Sequence, residues 1–250
     1  MTGRTIFLTG ATDGIGLALA TLWAQRGERL ILHGRRAPEE LPAELLDRGS
    51  YCQADLADAD AAAKAVAHLD ERGVDALDLL VHNAGVGYYG EVGAQPSRNI
   101  AGLLRVNLEA PLALTHALLP RLERAGGRLV LISSIAAAVP CPDYAVYAAS
   151  KAALEGFARA LRIELKGRVG VQVVRPGPTR TGMHSKIGAP PEKVPAERFP
   201  AAPSVAAGIA RAIDRGHRRA TIGLGNRALG AAGAHLAAPL DALMRRKRTR

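Results

Sequence analysis

Tyr147 and Lys151, in Tyr147-Ala148-Ala149-Ser150-Lys151, are the residues whose types and spacing best suit proton chemistry. A free phenol titrates near pH ~10 and is a poor acid at neutral pH. A lysine one helical turn further on lies on the same helix face. A cation held there favours phenolate and is expected to lower the tyrosine's pKa. The pair would then exchange a proton with a substrate oxygen near physiological pH. The same spacing also arises on solvated helix faces, so the reading depends on what surrounds it.

Three further segments supply that setting. The apolar, β-branched run 127–132 predicts a buried strand. It ends in Ser133-Ser134, where a hydroxyl would face the following helix and hold a carbonyl oxygen beside the phenol. Turn or capping chemistry is the alternative use of such serines. Near the N-terminus, residues 4–9 predict a strand running into Gly10-Ala11-Thr12-Asp13-Gly14-Ile15-Gly16, followed by a helix over 17–26. Strand, glycine turn and helix form the context of a dinucleotide site. Glycines let the backbone approach a pyrophosphate, and the helix N-terminus offers free N–H groups to it. The spacing of Gly10, Gly14 and Gly16 differs from the commonest fingerprint, Gly-x-Gly-x-x-Gly. Third, a strand over 77–81 closes in His82-Asn83-Ala84-Gly85, a polar side chain and a tight backbone at a strand's carboxyl edge. Ligands of open α/β sheets bind at that edge.

Thr9-Gly10-x-x-x-Gly14-x-Gly16, Asn83-Ala84-Gly85, Ser134, Tyr147-x-x-x-Lys151 and Pro176-Gly177 stand in the order and spacing of the short-chain dehydrogenases/reductases. Over about residues 4–225 the chain resembles the single-domain branch of that family. The resemblance implies that Tyr147 is the general acid in reduction and the base in oxidation. It implies that Lys151 lowers the phenol's pKa and bonds the nicotinamide ribose, and that Ser134 positions the substrate carbonyl. Asn107 is similar to the family's asparagine that links lysine and water in a proton relay; a helix-bending asparagine is the local alternative. Pro176, Gly177, Thr179 and Thr181 resemble the segment that meets the nicotinamide amide. Asp55-Leu56 resembles the adenine-side pair, with a helix N-cap as the other reading of Asp55. The glycine turn, including Thr12, Asp13 and Ile15, and Asn83, Ala84 and Gly85 complete the implied cofactor site. No metal ligand set is implied. His82 stands where the family more often has asparagine and is given no catalytic role.

The second strand, over 29–34, ends in His33-Gly34-Arg35-Arg36. NAD enzymes usually place an acidic residue near this strand end to bind the ribose hydroxyls. Gly34 takes that place, and Arg35 and Arg36 could grip a 2′-phosphate, because guanidinium matches phosphate geometry. NADP(H) is therefore favoured over NAD(H), although Asp13 would oppose the phosphate if it pointed inward.

The 250 residues, 48% of them hydrophobic, suit one α/β domain, a doubly wound parallel sheet of Rossmann type. Helices are expected at 38–48, 59–72, 97–124, 144–165 and near 205–215, and strands at 50–53, 169–175 and 220–224. The proline-rich stretch 178–203 disfavours long regular structure and, by the resemblance, forms a lid over the substrate. Tyr88, Tyr89, residues 135–139, Met183 and Ile187 favour a ketone, aldehyde or secondary alcohol with an apolar part; core packing is the alternative for each. Two cysteines, Cys52 and Cys141, are too few for a disulfide framework, and no leader is read before the first strand, so a cytoplasmic protein is expected. A buried structural thiol is the favoured reading of Cys141.

The net charge of +10 and the basic tail 244–250, after an alanine- and leucine-rich stretch 229–243, raise peripheral membrane contact. A surface helix with a solvated basic end is preferred. Nucleic acid is not expected as a partner, since few aromatics are present for stacking. The resemblance implies a homodimer or homotetramer. A non-catalytic dinucleotide sensor would be expected to lose part of the set Asn107, Ser134, Tyr147 and Lys151, which this chain keeps. A sugar-nucleotide epimerase shares Tyr-x-x-x-Lys but would need a longer C-terminal domain.

Overall fold

The computed structural model describes residues 3–47, 49–236, 238–239 and 241–242. The basic tail 244–250 lies outside them, as does part of the stretch 229–243. Seven strands form one parallel sheet: β1 (Thr5–Thr9), β2 (Arg29–Gly34), β3 (Gly49–Gln53), β4 (Leu79–His82), β5 (Arg128–Ile132), β6 (Gly170–Arg175) and β7 (Arg219–Thr221). Their order is β3-β2-β1-β4-β5-β6-β7. The chain moves outward from β1 to β3, then returns to lay β4 on the other side of β1. Connections leaving β1 and β4 diverge there, opening a crevice at the strands' carboxyl ends.

Strands that read as unbroken apolar runs are those covered on both faces. Phe7, Ile31, Leu80, Leu129 and Leu131 pack against α3 (Ala61–Glu71), α5 (Ala110–Ala125) and α6 (Ala145–Glu164). Their sequence neighbours Ile6, Leu8, Leu30, Leu32, Val81 and Val130 pack against α1 (Gly14–Gln25) and α8 (Ala202–Arg215). The two buried faces clamp the strand ends that carry the glycine turn, Asn83, Ser134 and Pro176.

Three expectations are corrected by the backbone. The helix expected at 38–48 divides into a 3₁₀ turn, Pro38–Glu40, and α2 (Ala43–Asp47). Leu41 is extended at φ −96°, ψ 151°, the region favoured by a residue that precedes proline, here Pro42. The helix expected at 97–124 is not uniform: α4 (Ser97–Leu104) widens into a π-helical turn, Arg105–Glu109, before α5. The last strand is shorter than 220–224, because Gly223 at φ 92° turns the chain into α9 (Leu224–His235). Within 178–203 lies a short helix, α7 (Met183–Lys186); Ala202 and Pro203 already belong to the first turn of α8, where proline is tolerated.

Candidate functional site

A cleft of about 480 Å³ opens at the carboxyl ends of β1, β2, β4 and β5. Of the expected residues it is lined by Gly10, Thr12, Asp13, Gly14, Ile15, Gly16, Arg35, Asp55, Leu56, Asn83, Ala84, Gly85, Tyr147, Lys151, Pro176 and Thr181. Asn107, Ser134, Gly177 and Thr179 do not line it. A Cβ on Gly177 would fall 2.1 Å from the Asn226 amide of α9, and buried Thr179 donates its hydroxyl back to Gly177 O at 3.0 Å.

The glycine turn is held as a cradle of bare backbone. Gly10 and Gly14 have positive φ, 67° and 52°. A Cβ on Gly16 would stand 1.9 Å from Gly10 O and 2.5 Å from Asn83 Nδ2. Asn83 is the brace: its Nδ2 donates to Thr9 O and Gly10 O at 3.0 and 3.1 Å. The Thr9 hydroxyl in turn accepts from the N–H groups of Asn83 and Ala84. Such a cradle at the start of α1 suits a pyrophosphate.

Asp13 does not stand as a free charge facing this cradle. It caps α1, accepting from Gly14 N at 2.7 Å, and forms an ion pair with Lys186 of α7. The Lys186 hydrogen bond, helped by Gly14 N–H and by Lys186 and Arg36 charge, holds its carboxyl below the usual range. The far end of the cleft is cationic, with Arg35 and Arg36 beside Asp55. Asp55 is not the N-cap of α3, a place held by Asp60; it accepts from Ala57 N in a turn. Gly34 has no room for a side chain: a Cβ would lie 2.4 Å from Thr12 Cγ2 and 2.8 Å from the Tyr51 hydroxyl.

At the other end α6 presents Tyr147 and Lys151 on one face to the cleft, as their spacing requires. The Ser134 hydroxyl hydrogen-bonds the Tyr147 phenol and also accepts from Ala136 N at 3.1 Å. The expected lowering of the phenol's pKa is not found. Burial raises it above the usual tyrosine value, the Ser134 hydrogen bond offsets this only in part, and Lys151 has no part in the shift. Lys151 is itself only 3% exposed, and burial pushes its ammonium down to about 8. Its Nζ donates to Ile132 O at 3.0 Å and lies 5.9 Å from the centre of the Tyr147 ring. Spacing sets the two groups on one helix face, but desolvation rather than attraction between them governs both pKa values.

Asn107 is fully buried in the π-helical turn. Its amide accepts from Val86 N at 2.8 Å and donates to Val86 O and the Ser150 hydroxyl. These bonds do not reach Lys151, although both side chains crowd the same Gly85, whose Cβ would lie 3.4 Å from Asn107 Oδ1 and 3.2 Å from Lys151 Nζ. Behind them Ser133 donates to Glu155 at 2.9 Å, and Glu155 pairs with Arg175 in a nearly buried ion pair. That network ties β5, α6 and β6 together just where Ser134, Tyr147 and Pro176 emerge.

Several site residues had no place in the sequence reading. Val86, Val106, Ile132 and Lys186 line the cleft as well, and so does Ser133, which the sequence paired with Ser134 at the strand end. Tyr144 forms an aromatic chain with Tyr89, Tyr147 and His184, and His184 meets Phe199 edge-on. The Tyr144 hydroxyl lies 3.1 Å from His184 Nδ1. Tyr144 precedes Tyr147 by nearly one helical turn, a signal that could have found it. Met183 and Ile187 line the cleft as expected, whereas Tyr88 turns its hydroxyl towards Ala94 O. Cys141 is a free thiol, half-buried rather than buried, with its pKa raised by burial.

Comparison with known proteins agrees with this geometry. The family model for short chain dehydrogenases matches residues 4–192. The chain is 37% identical over 185 residues to a serine 3-dehydrogenase of Agrobacterium fabrum, covering 71% of this chain and 72% of that one. A short-chain dehydrogenase from Sphingobium yanoikuyae in complex with NADPH superposes at a TM-score of 0.79 with 28% identity, covering 98% and 94% of the two chains. Another, from Burkholderia cenocepacia in complex with NADP, superposes at 0.82 with 26% identity, covering 98% and 97%.

The chain therefore belongs to the short-chain dehydrogenase family. It is an NAD(P)-dependent dehydrogenase acting on CH–OH and C=O groups.

Proposed function

We propose that this chain is an NADP(H)-dependent oxidoreductase for ketones, aldehydes or secondary alcohols with an apolar part. The observation that carries the reading is a single cleft with a bare glycine cradle and two arginines at one end and Tyr147 and Lys151 at the other, with Ser134 hydrogen-bonded to the Tyr147 phenol. The preference for the 2′-phosphate is supported by Gly34, where an acidic side chain would collide with Thr12, and by Arg35 and Arg36. The two relatives of known structure described above carry NADPH and NADP.

The bound nicotinamide supplies or accepts hydride at the substrate carbon. Ser134 and Tyr147 hydrogen-bond the substrate oxygen and stabilise the negative charge that develops there. With its pKa raised, Tyr147 is protonated at neutral pH and is set to donate in the reductive direction. Lys151, largely cationic at pH 7, lines the cleft beside Tyr147 and bonds the nicotinamide ribose. Asn107 holds the backbone of Val86, and so the wall beside Lys151, in place. Tyr144, Met183, Ile187 and His184 give the substrate side an apolar and aromatic wall, and the segment 178–203 acts as the lid that carries three of them.

Fluorescence titration with NADPH and NADH, followed by a screen of carbonyl compounds, tests this reading. NADPH is expected to bind at least tenfold tighter. Tyr147→Phe is expected to lose turnover by about 10²–10⁴-fold, the range of general acid catalysis, with cofactor affinity nearly unchanged. Tighter NADH binding would refute the cofactor assignment, and near-normal turnover of Tyr147→Phe the catalytic one.

A further inference from the structure

The opposite edge of the sheet, where β5 and β6 begin, holds a second cleft of about 550 Å³. It lies by the C-terminal ends of α6 and α8. Arg128, Arg162, Lys166 and Arg218 line it, and among the described residues no aspartate or glutamate does. Arg128 begins β5 while Ile132, at the other end of that strand, lines the nicotinamide cleft. A strand of this length separates the two by roughly 13 Å.

Cations often gather where helices end, because the free carbonyls there carry partial negative charge. That accounts for one bond: Arg128 donates to Ile213 O in the last turn of α8. It does not account for the rest. Arg162 is fixed by Val171 O at 3.1 Å and Arg218 O at 2.8 Å, neither of them a helix-end carbonyl. Arg219, Arg218 and Arg159 repel it, against the attraction of Glu155 alone. The neighbouring ion pairs, Arg168–Glu123 and Arg175–Glu155, use neither Lys166 nor Arg218. Gly170 and Gly216 leave space for the Arg128 side chain, which a Cβ at either would approach within 3.3 and 3.1 Å. One wall group is of the other kind. Gln172 is 1% exposed; its Nε2 donates to Ala212 O at 2.8 Å, but its buried Oε1 has no hydrogen-bond partner. That oxygen is shut off from the cleft, so the four cations are the groups a ligand meets there.

We propose that this cleft binds a small, multiply charged phosphate ester. Its phosphate oxygens take the guanidinium and ammonium groups of Arg128, Arg162, Lys166 and Arg218. The site is separate from the nicotinamide cleft and binds whether or not that cleft is filled.

Isothermal titration of the full chain with fructose 1,6-bisphosphate, in saturating NADP⁺, tests the proposal. One site per chain is expected, with uncharged fructose failing to bind. Lys166→Ala/Arg218→Ala, two exposed positions, should weaken the bisphosphate at least tenfold while NADP⁺ affinity stays constant. No saturable binding, or unchanged binding by the double variant, would overturn it. So would displacement of the bisphosphate by a single-stranded oligonucleotide or by phosphatidylserine vesicles that bind more tightly, since the basic face would then serve a polymer or a membrane.

Discussion

Acid should destabilise this protein through two buried histidines that take no part in the proton chemistry. His82, at the end of β4, is 2% exposed, with Nε2 on the Thr115 hydroxyl at 2.9 Å and Nδ1 without a partner. Burial, then the charges of His33 and Lys151, push its pKa down to about 3. His33, on β2, has neither ring nitrogen partnered and falls to about 4, chiefly by burial. Both folded values lie below the unfolded value of about 6.5, so the unfolded chain binds the extra protons. Their stability contribution is intact above pH ~6.5 and is lost as pH falls through the window down to the folded pKa values. At pH 5 each histidine is still neutral in the fold and protonated in the unfolded chain, a cost of about 2 kcal/mol each and about 4 kcal/mol together. His82→Asn keeps a polar partner for Thr115 and cannot titrate. Urea unfolding at pH 8 and pH 5 should show the variant losing about 2 kcal/mol less than the parent between the two. An identical pH dependence in the two proteins would refute the reasoning.

Two further outcomes follow from buried charge. Lys151, with a folded pKa of about 8 against about 10.5 unfolded, carries its burial cost fully below pH ~8 and is relieved of it as pH rises towards ~10.5. Relative to Lys151→Met, the parent should therefore gain about 3 kcal/mol across that window, measured by the same unfolding experiment. Glu155→Ala leaves Arg175 buried without its partner and should cost about 3–5 kcal/mol, most of it recovered when Arg175→Met is added; a loss below about 1 kcal/mol would show that the pair does not fasten β6 to α6.

Much of the site was legible because its signals are local. Tyr147 and Lys151 share a face by helical periodicity alone, and the glycine turn follows a run that could only be a buried strand. Ser134 and Asn83 are strand-end residues, and a parallel sheet collects its strand ends on one edge. What spacing could not convey was solvation: Tyr147 and Lys151 meet as expected, yet desolvation sends the phenol's pKa up rather than down. Nor could it convey the partner of Asp13, since Lys186 lies 173 residues away in a proline-rich stretch with no pattern linking the two. The break at Leu41-Pro42 was visible in the proline itself but was outweighed by the helix-forming residues around it.

The π-helical turn at Arg105–Glu109 constrains how this segment can change length. An extra residue in one turn shifts everything beyond it by about 100° around the helix axis. Asn107 must face Val86 and Ser150 while Leu114, Leu118 and Leu122 must face the sheet, and the wide turn reconciles the two demands. Removing one residue there would let an unbroken α-helix form, but with either the apolar stripe or the asparagine swung out of place. Insertions and deletions between Leu104 and Ala110 should thus be far less tolerated than in the loops that flank the helix.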